Sequence, residues 1–194
     1  GAGGDGVFGG GSDGHADDNT LVGYSAGYAI TTGYDNVIVG SDAGDVMTTG
    51  LGNVIIGKGA SGAMVAGNNE NVVIGLAAMD AATGGENYNI AIGSNALGAE
   101  NSNANYCVAI GHQALLVQNA DVKNTAIGGL AGASIIDGNY NTLVGYQAGN
   151  AINGSASGSN KGLSNTALGY EALAGTTGSY NVAIGTSAGD AAMT

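Results

Sequence analysis

The sequence predicts an all-β fold, a parallel β-solenoid of ten coils of 17–18 residues, and three observations carry that prediction. A motif of Asn, a β-branched residue, two aliphatic residues and Gly, as in Asn141-Thr142-Leu143-Val144-Gly145, recurs ten times. Its glycines are Gly23, Gly40, Gly57, Gly75, Gly93, Gly111, Gly128, Gly145, Gly169 and Gly185, at spacings of 17, 17, 18, 18, 18, 17, 17, 24 and 16 residues; self-similarity at a fixed period marks a repeat architecture. An Ala lies three residues beyond the Gly in every copy. Such a chain is one quasi-one-dimensional domain, a rod roughly 50 Å long at one strand spacing per coil.

Residues 1–18 are rich in Gly and Asp and read as a lead-in or degenerate coil. Within them Gly9-Gly10-Gly11-Ser12-Asp13-Gly14 lacks the Gly and Asp spacing of a calcium-binding β-roll loop. Residues 19–194 are the solenoid repeats. Each opens on Asn19, Asn36, Asn53, Asn71, Asn89, Asn124, Asn141, Asn165 or Asn181, and stacked amides at one strand spacing can form a hydrogen-bonded ladder. One copy has Cys107 there, read as a tolerated defect because a free Cys packs as a small apolar residue.

The residue after the Asn (Thr20, Val37, Val54, Val72, Ile90, Val108, Thr125, Thr142, Thr166, Val182) is β-branched throughout, as strands prefer. Two residues on, the same face carries Val22, Val39, Ile56, Ile74, Ile92, Ile110, Ile127, Val144, Leu168 and Ile184. This face is expected to be the core. The position between them is also apolar: Leu21, Ile38, Ile55, Val73, Ala91, Ala109, Ala126, Leu143, Ala167 and Ala183. A strand apolar on both faces is buried on both, and one thin coil cannot supply two cores. The middle column is therefore expected to face other copies of the chain. A row of Thr for binding ice is disfavoured on the same geometry, because Thr20, Thr125, Thr142 and Thr166 sit in the column expected to face inward.

The Gly ends the strand where the chain bends or meets a neighbour closely. The Ala that follows predicts a second, short, tightly packed strand. Turn signals such as Thr31-Thr32-Gly33 and Asp137-Gly138-Asn139 precede the next Asn. The longest interval holds a Gly- and Ser-rich loop insertion at 150–164. The last residues, Ala188 to Thr194, parallel Ala43 to Thr48 and stop mid-repeat, which predicts a segment of a longer fibre or a subunit that stacks end to end.

Composition narrows function. Glycine is abundant at 39 residues, but hydrophobic residues make up 44% and charged ones 9%, the reverse of a disordered chain. The net charge is −12 with only Lys58, Lys123 and Lys161 as cations, which excludes binding nucleic acid through phosphate contacts. No apolar run reaches a membrane span, so no membrane insertion is expected. His15 and His112 lie in unrelated places, and no carboxylate pair stands out as an acid/base couple. The reading is therefore no enzyme, no catalytic residues, no cofactor and no metal. Nine Tyr remain. Tyr88, Tyr140 and Tyr180 precede a repeat Asn, and Tyr106 precedes Cys107; Tyr24, Tyr146 and Tyr170 follow a repeat Gly and are candidate ligand contacts, able to meet a glycan or a protein. The other reading is Tyr packed on Tyr of the next coil.

Asn181-Val182-Ala183-Ile184-Gly185-Thr186-Ser187-Ala188 closely resembles the head repeat of YadA-like trimeric autotransporter adhesins. Asn124-Thr125-Ala126-Ile127-Gly128 and Asn165-Thr166-Ala167-Leu168-Gly169-Tyr170 are similar to the same element in bacteriophage tail and neck fibres. The likeness covers residues 19–189. It implies a left-handed parallel β-roll, homotrimeric about its long axis, located outside the cell, on a cell surface or on a virion, and attaching to a surface through a cell-surface glycan or protein. The alternative expectation is a self-assembling extracellular filament with no receptor.

Overall fold

The computed structural model describes residues 18–83, 85–99, 104–117, 123–152, 162–175 and 178–190. The lead-in up to residue 17 and the centre of the insertion, 153–161, lie outside the described residues. Each copy forms one three-residue strand: β1 (Thr20–Val22), β2 (Val37–Val39), β3 (Val54–Ile56), β4 (Val72–Ile74), β5 (Ile90–Ile92), β6 (Val108–Ile110), β7 (Thr125–Ile127), β8 (Thr142–Val144), β9 (Thr166–Leu168) and β10 (Val182–Ile184). All ten pair in chain order into one parallel sheet. The register holds every motif position in line, from Thr20↔Val37 to Thr166↔Val182. The protein is a β-solenoid, each turn contributing one strand to this sheet.

The two faces of the sheet are the reverse of those expected. The middle residues Ile38, Ile55, Val73, Ala91, Ala109, Ala126, Leu143, Ala167 and Ala183 are buried inside the single chain, and Leu21 packs against them at the first turn. Nine of the ten are closed off within the one chain and Leu21 is half-buried, so this column is the chain's own interior where a face toward other copies was expected. The residues before and after them point outward and are half-buried or exposed. Strand geometry requires this arrangement. The repeat Asn is itself buried, and in a two-residue period it shares a face with the middle residue, not with its β-branched neighbour. Thr20, Thr125, Thr142 and Thr166 accordingly face out, and the geometric objection to an outward Thr row falls.

The interior is narrow and filled by complementary volumes. The residue six beyond each strand middle also points inward. Leu21 and Ile38 stand over Gly27 and Gly44, whereas Ala91 and Ala109 are matched by Leu97 and Leu115. A Cβ on Gly27 would lie 2.8 Å from Leu21 Cδ2, so in these turns the two positions share one space; Ala126 and Gly132 are both small, and there Leu115 and Leu143 of the neighbouring turns fill the room instead. Ile30, Met47, Met64, Ala82, Ile135 and Ile152 close the remaining wall.

No second strand surrounds the conserved-offset Ala. It is buried, but it sits between two residues in the left-handed region, for example Asn95 (φ 54°) and Leu97 (φ 50°), or Gln113 (φ 54°) and Leu115 (φ 48°). Such a backbone costs about 1–2 kcal/mol per non-Gly residue. Hydrogen bonds between turns offset it: Gln113 N–H donates to Ser94 O at 2.9 Å, and Leu97 N–H to Ala114 O at 3.1 Å. The chain thus stacks turn on turn by backbone pairing outside the sheet as well as within it.

Candidate interaction surfaces

The repeat Asn residues line the inner start of the strands and stitch three successive turns. Asn53 Nδ2 donates to Asn36 Oδ1 at 3.0 Å and to Asn68 O at 2.8 Å, and its own Oδ1 accepts from Asn71 N–H and Nδ2 at 3.0 Å each. The same pattern links Asn19 to Asn36 and runs from Asn124 through Asn141 and Asn165 to Asn181. Cys107 keeps one rung, its N–H donating to Asn89 Oδ1 at 2.9 Å. From Asn19 to Asn165 these Asn residues are buried and their side-chain amides bond to neighbouring turns, a structural role.

A second, outer ladder occurs where the period is 18. There Asn69, Asn87 and Asn105 stack beside the strand start, joined by isolated parallel bridges. Asn69 N–H donates to Asn87 Oδ1 at 2.9 Å, and Asn87 N–H to Asn105 Oδ1 at 2.8 Å. The donors point toward the following turn, opposite to the inner ladder. Sequence reasoning did not single out this set; its signal was the Asn two residues before the motif position in three consecutive copies.

The outward sheet face carries two rows at one strand spacing. Val37, Val54, Val72, Ile90 and Val108 run along one, which has Thr20 before them and Thr125, Thr142, Thr166 and Val182 after; Val22, Val39, Ile56, Ile74, Ile92 and Ile110 run along the other, continued by Ile127, Val144, Leu168 and Ile184. Neither row contains a charged side chain. At about 4.8 Å per strand the strip is about 45 Å long.

Tyrosines flank this strip. Tyr88 and Tyr106, on the side where the strands start, stack with ring centroids 5.0 Å apart and planes 11° from parallel. Lys123 Nζ lies 5.8 Å from the Tyr140 ring centroid in the same column. Beyond the strand ends, Tyr146 and Tyr170 stack at 5.7 Å and 14°. Of the three candidate ligand contacts, the structure brings Tyr146 and Tyr170 together and leaves Tyr24 apart, after β1. Stacking covers one face of each ring and leaves all four side chains exposed to solvent.

Charge on the remaining surface is acidic. Ser41 Oγ donates to Asp42 Oδ2 at 2.9 Å. Burial first, and the neighbouring Asp42 carboxylate next, hold the Asp45 carboxyl above its ordinary range, against backbone hydrogen bonds that pull it down. The Tyr170 phenol is raised by its hydrogen bond to Glu171. Among the described residues no group of three or more His, Cys, Asp or Glu could hold a metal ion, and no helix is long and apolar enough to cross a membrane. Comparison with protein-family models, curated proteins and solved structures gives no match.

Proposed function

We propose that this chain is a segment of an extracellular or virion-surface fibre that attaches its bearer to another surface, built from three copies packed along their outward strand faces. The observation that carries the reading is the uncharged aliphatic strip along the sheet, which leaves a rod-length apolar surface in water unless another copy covers it. The repeat likeness to trimeric adhesin heads and phage fibres supports three copies about the long axis. A trimer carries three times −12, or −36, which resists further aggregation. The exposed loops and Tyr24, Tyr146 and Tyr170 would then recur by symmetry and bind a surface glycan or protein with avidity.

Light scattering at neutral pH tests the architecture. Three times 18.5 kDa is the expected mass, and a monomer at micromolar concentration refutes the reading. Filaments that lengthen with concentration under the electron microscope would instead favour an assembly subunit without a receptor.

A further inference from the structure

Two of the tyrosine pairs have a chemistry that neither packing nor attachment uses. In each pair the rings belong to neighbouring turns, are nearly parallel and lie within ring-contact distance, at 5.0 Å for Tyr88 and Tyr106 and 5.7 Å for Tyr146 and Tyr170. All four side chains are exposed to solvent. They are held there by the backbone: Tyr106 N–H donates to Asn87 O and Tyr88 N–H to Asn69 O, so adjacent phenols cannot drift apart without breaking the stack of turns. Tyr24, Tyr28 and Tyr180 are more exposed but have no stacked ring among the described residues.

We propose that Tyr88 with Tyr106, and Tyr146 with Tyr170, are sites of intrachain dityrosine formation by a peroxidase-type one-electron oxidant acting with hydrogen peroxide. Each phenol loses one electron and its phenolic proton. The two radicals join through ring carbons ortho to oxygen, and the hydrogens on those carbons move to the oxygens to restore two phenols. The pair loses two hydrogen atoms overall, and one hydrogen peroxide is reduced to two waters. Glu171, next to Tyr170 in the chain and the group that holds its phenol above the ordinary range, can take the proton as the electron leaves the second pair.

The product ties successive turns covalently. A solenoid contacts only its nearest neighbours along the axis and can open turn by turn; a bond between turns blocks that route and closes a chain loop that the unfolded state must then carry. The link between Tyr146 and Tyr170 also spans the insertion at 150–164. Chain breaks within the insertion would leave the two halves joined.

The intact chain, treated at low concentration with a haem peroxidase and hydrogen peroxide, then denatured and cleaved after Lys58, Lys123 and Lys161, gives the test. Fragment 59–123 holds both Tyr88 and Tyr106 and should lose the mass of two hydrogens. Fragments 124–161 and 162–194 should appear as one joined species through Tyr146 and Tyr170. Tyr106→Phe and Tyr170→Phe keep the stacked ring but remove the phenol, so each should abolish its own link and lower dityrosine fluorescence, and the two together should abolish the fluorescence, while the β-sheet signal is unchanged. The linked chain should melt at a higher temperature than the untreated one. The proposal fails if both links persist in the Phe variants, or if every link joins separate chains. Denaturing electrophoresis before cleavage separates links within a chain, which leave the mass at 18.5 kDa, from links between chains, whatever the oligomeric state.

Discussion

A Cβ placed on Gly93 would lie 2.5 Å from the carbonyl oxygen of Gly111. The same close approach recurs along the glycine column, because each strand ends where its backbone crosses the next turn without room for a side chain. Gly93 also has φ 133°, outside what an L side chain tolerates. Gly93→Ala combines overpacking with backbone strain and should destabilise by about 3 kcal/mol or more. Gly185 has φ 124° but nothing nearer than 4.0 Å to its hypothetical Cβ. Gly185→Ala should therefore cost roughly 1 kcal/mol, strain alone. Urea titration of both variants separates the two terms.

Removing one rung of the inner ladder should be costly for a different reason. Asn71 Nδ2 donates to Asn53 Oδ1 at 3.0 Å and Glu86 O at 2.9 Å, and its Oδ1 accepts from Asn89 N–H at 2.9 Å. Asn71→Ala leaves buried partners unpaired and should destabilise by about 2–4 kcal/mol. Cys107→Asn restores the residue type that every other copy has at this point, beside an Asn89 Oδ1 already accepting from its backbone. It should stabilise by about 1 kcal/mol, read as a higher urea midpoint at constant slope.

Much of the fold was legible in the repeat, because stacking identical turns demands the same residue at the same offset. The strand of each copy, the Asn ladder and the glycine column followed from that demand. The facing of the strand did not. β-Branched residues suit any pleated surface, so Val54 and Ile56 carry no label for inside or outside, and the apolar Ile55 between them fits either face. The deciding signal lay six residues away: Leu21 with Gly27 and Ala91 with Leu97 exchange volume, which only residues sharing an interior must do. The left-handed turn around each Ala was hidden for another reason. Leu97, Leu115 and Leu173 occupy a conformation that sequence assigns to Gly or Asn, held there by hydrogen bonds to the next turn.

That volume exchange predicts coupling. Ala91→Leu alone overpacks the interior, at a cost of about 1–3 kcal/mol. Leu97→Gly alone opens a cavity and should cost about 3 kcal/mol or more, offset slightly because Gly suits the left-handed backbone at 97. The pair together recreates the Leu21 and Gly27 arrangement of the first turn. The double variant should recover on the order of 2 kcal/mol relative to the sum of the singles. Additive losses in a double-mutant cycle would show that the two residues do not share the space.

Asp45 makes the acidic side of the molecule sensitive to pH. Its carboxyl is raised in the folded chain, chiefly by burial and then by Asp42, so the folded state holds that proton more tightly than the unfolded state. Ionisation therefore disfavours folding, and this contribution weakens stability as pH rises from the ordinary carboxylate value to the raised folded one and is constant above it. Asp45→Asn should melt higher than the parent at pH 7, and the difference should shrink as pH falls below about 4. An advantage that grows in acid would reverse the sign.

The outward rows provide the decisive test of assembly. Ile92 and Ile110 sit next to each other on β5 and β6, in line across the sheet, and both point away from the interior. Lys at these positions would place charge in the middle of the aliphatic strip while leaving Ala91 and Ala109 inside undisturbed. Burying each Ile contributes about 1.5–3 kcal/mol, and 2.7 kcal/mol corresponds to about a 100-fold change in affinity. The Ile92→Lys/Ile110→Lys variant should keep the β-sheet signal and lose the trimer mass, its dissociation constant rising by at least about 100-fold. Ala91→Lys, on the buried column, should instead unfold the rod. If the double Lys variant remains a trimer of parental affinity, the strip is not where the copies meet.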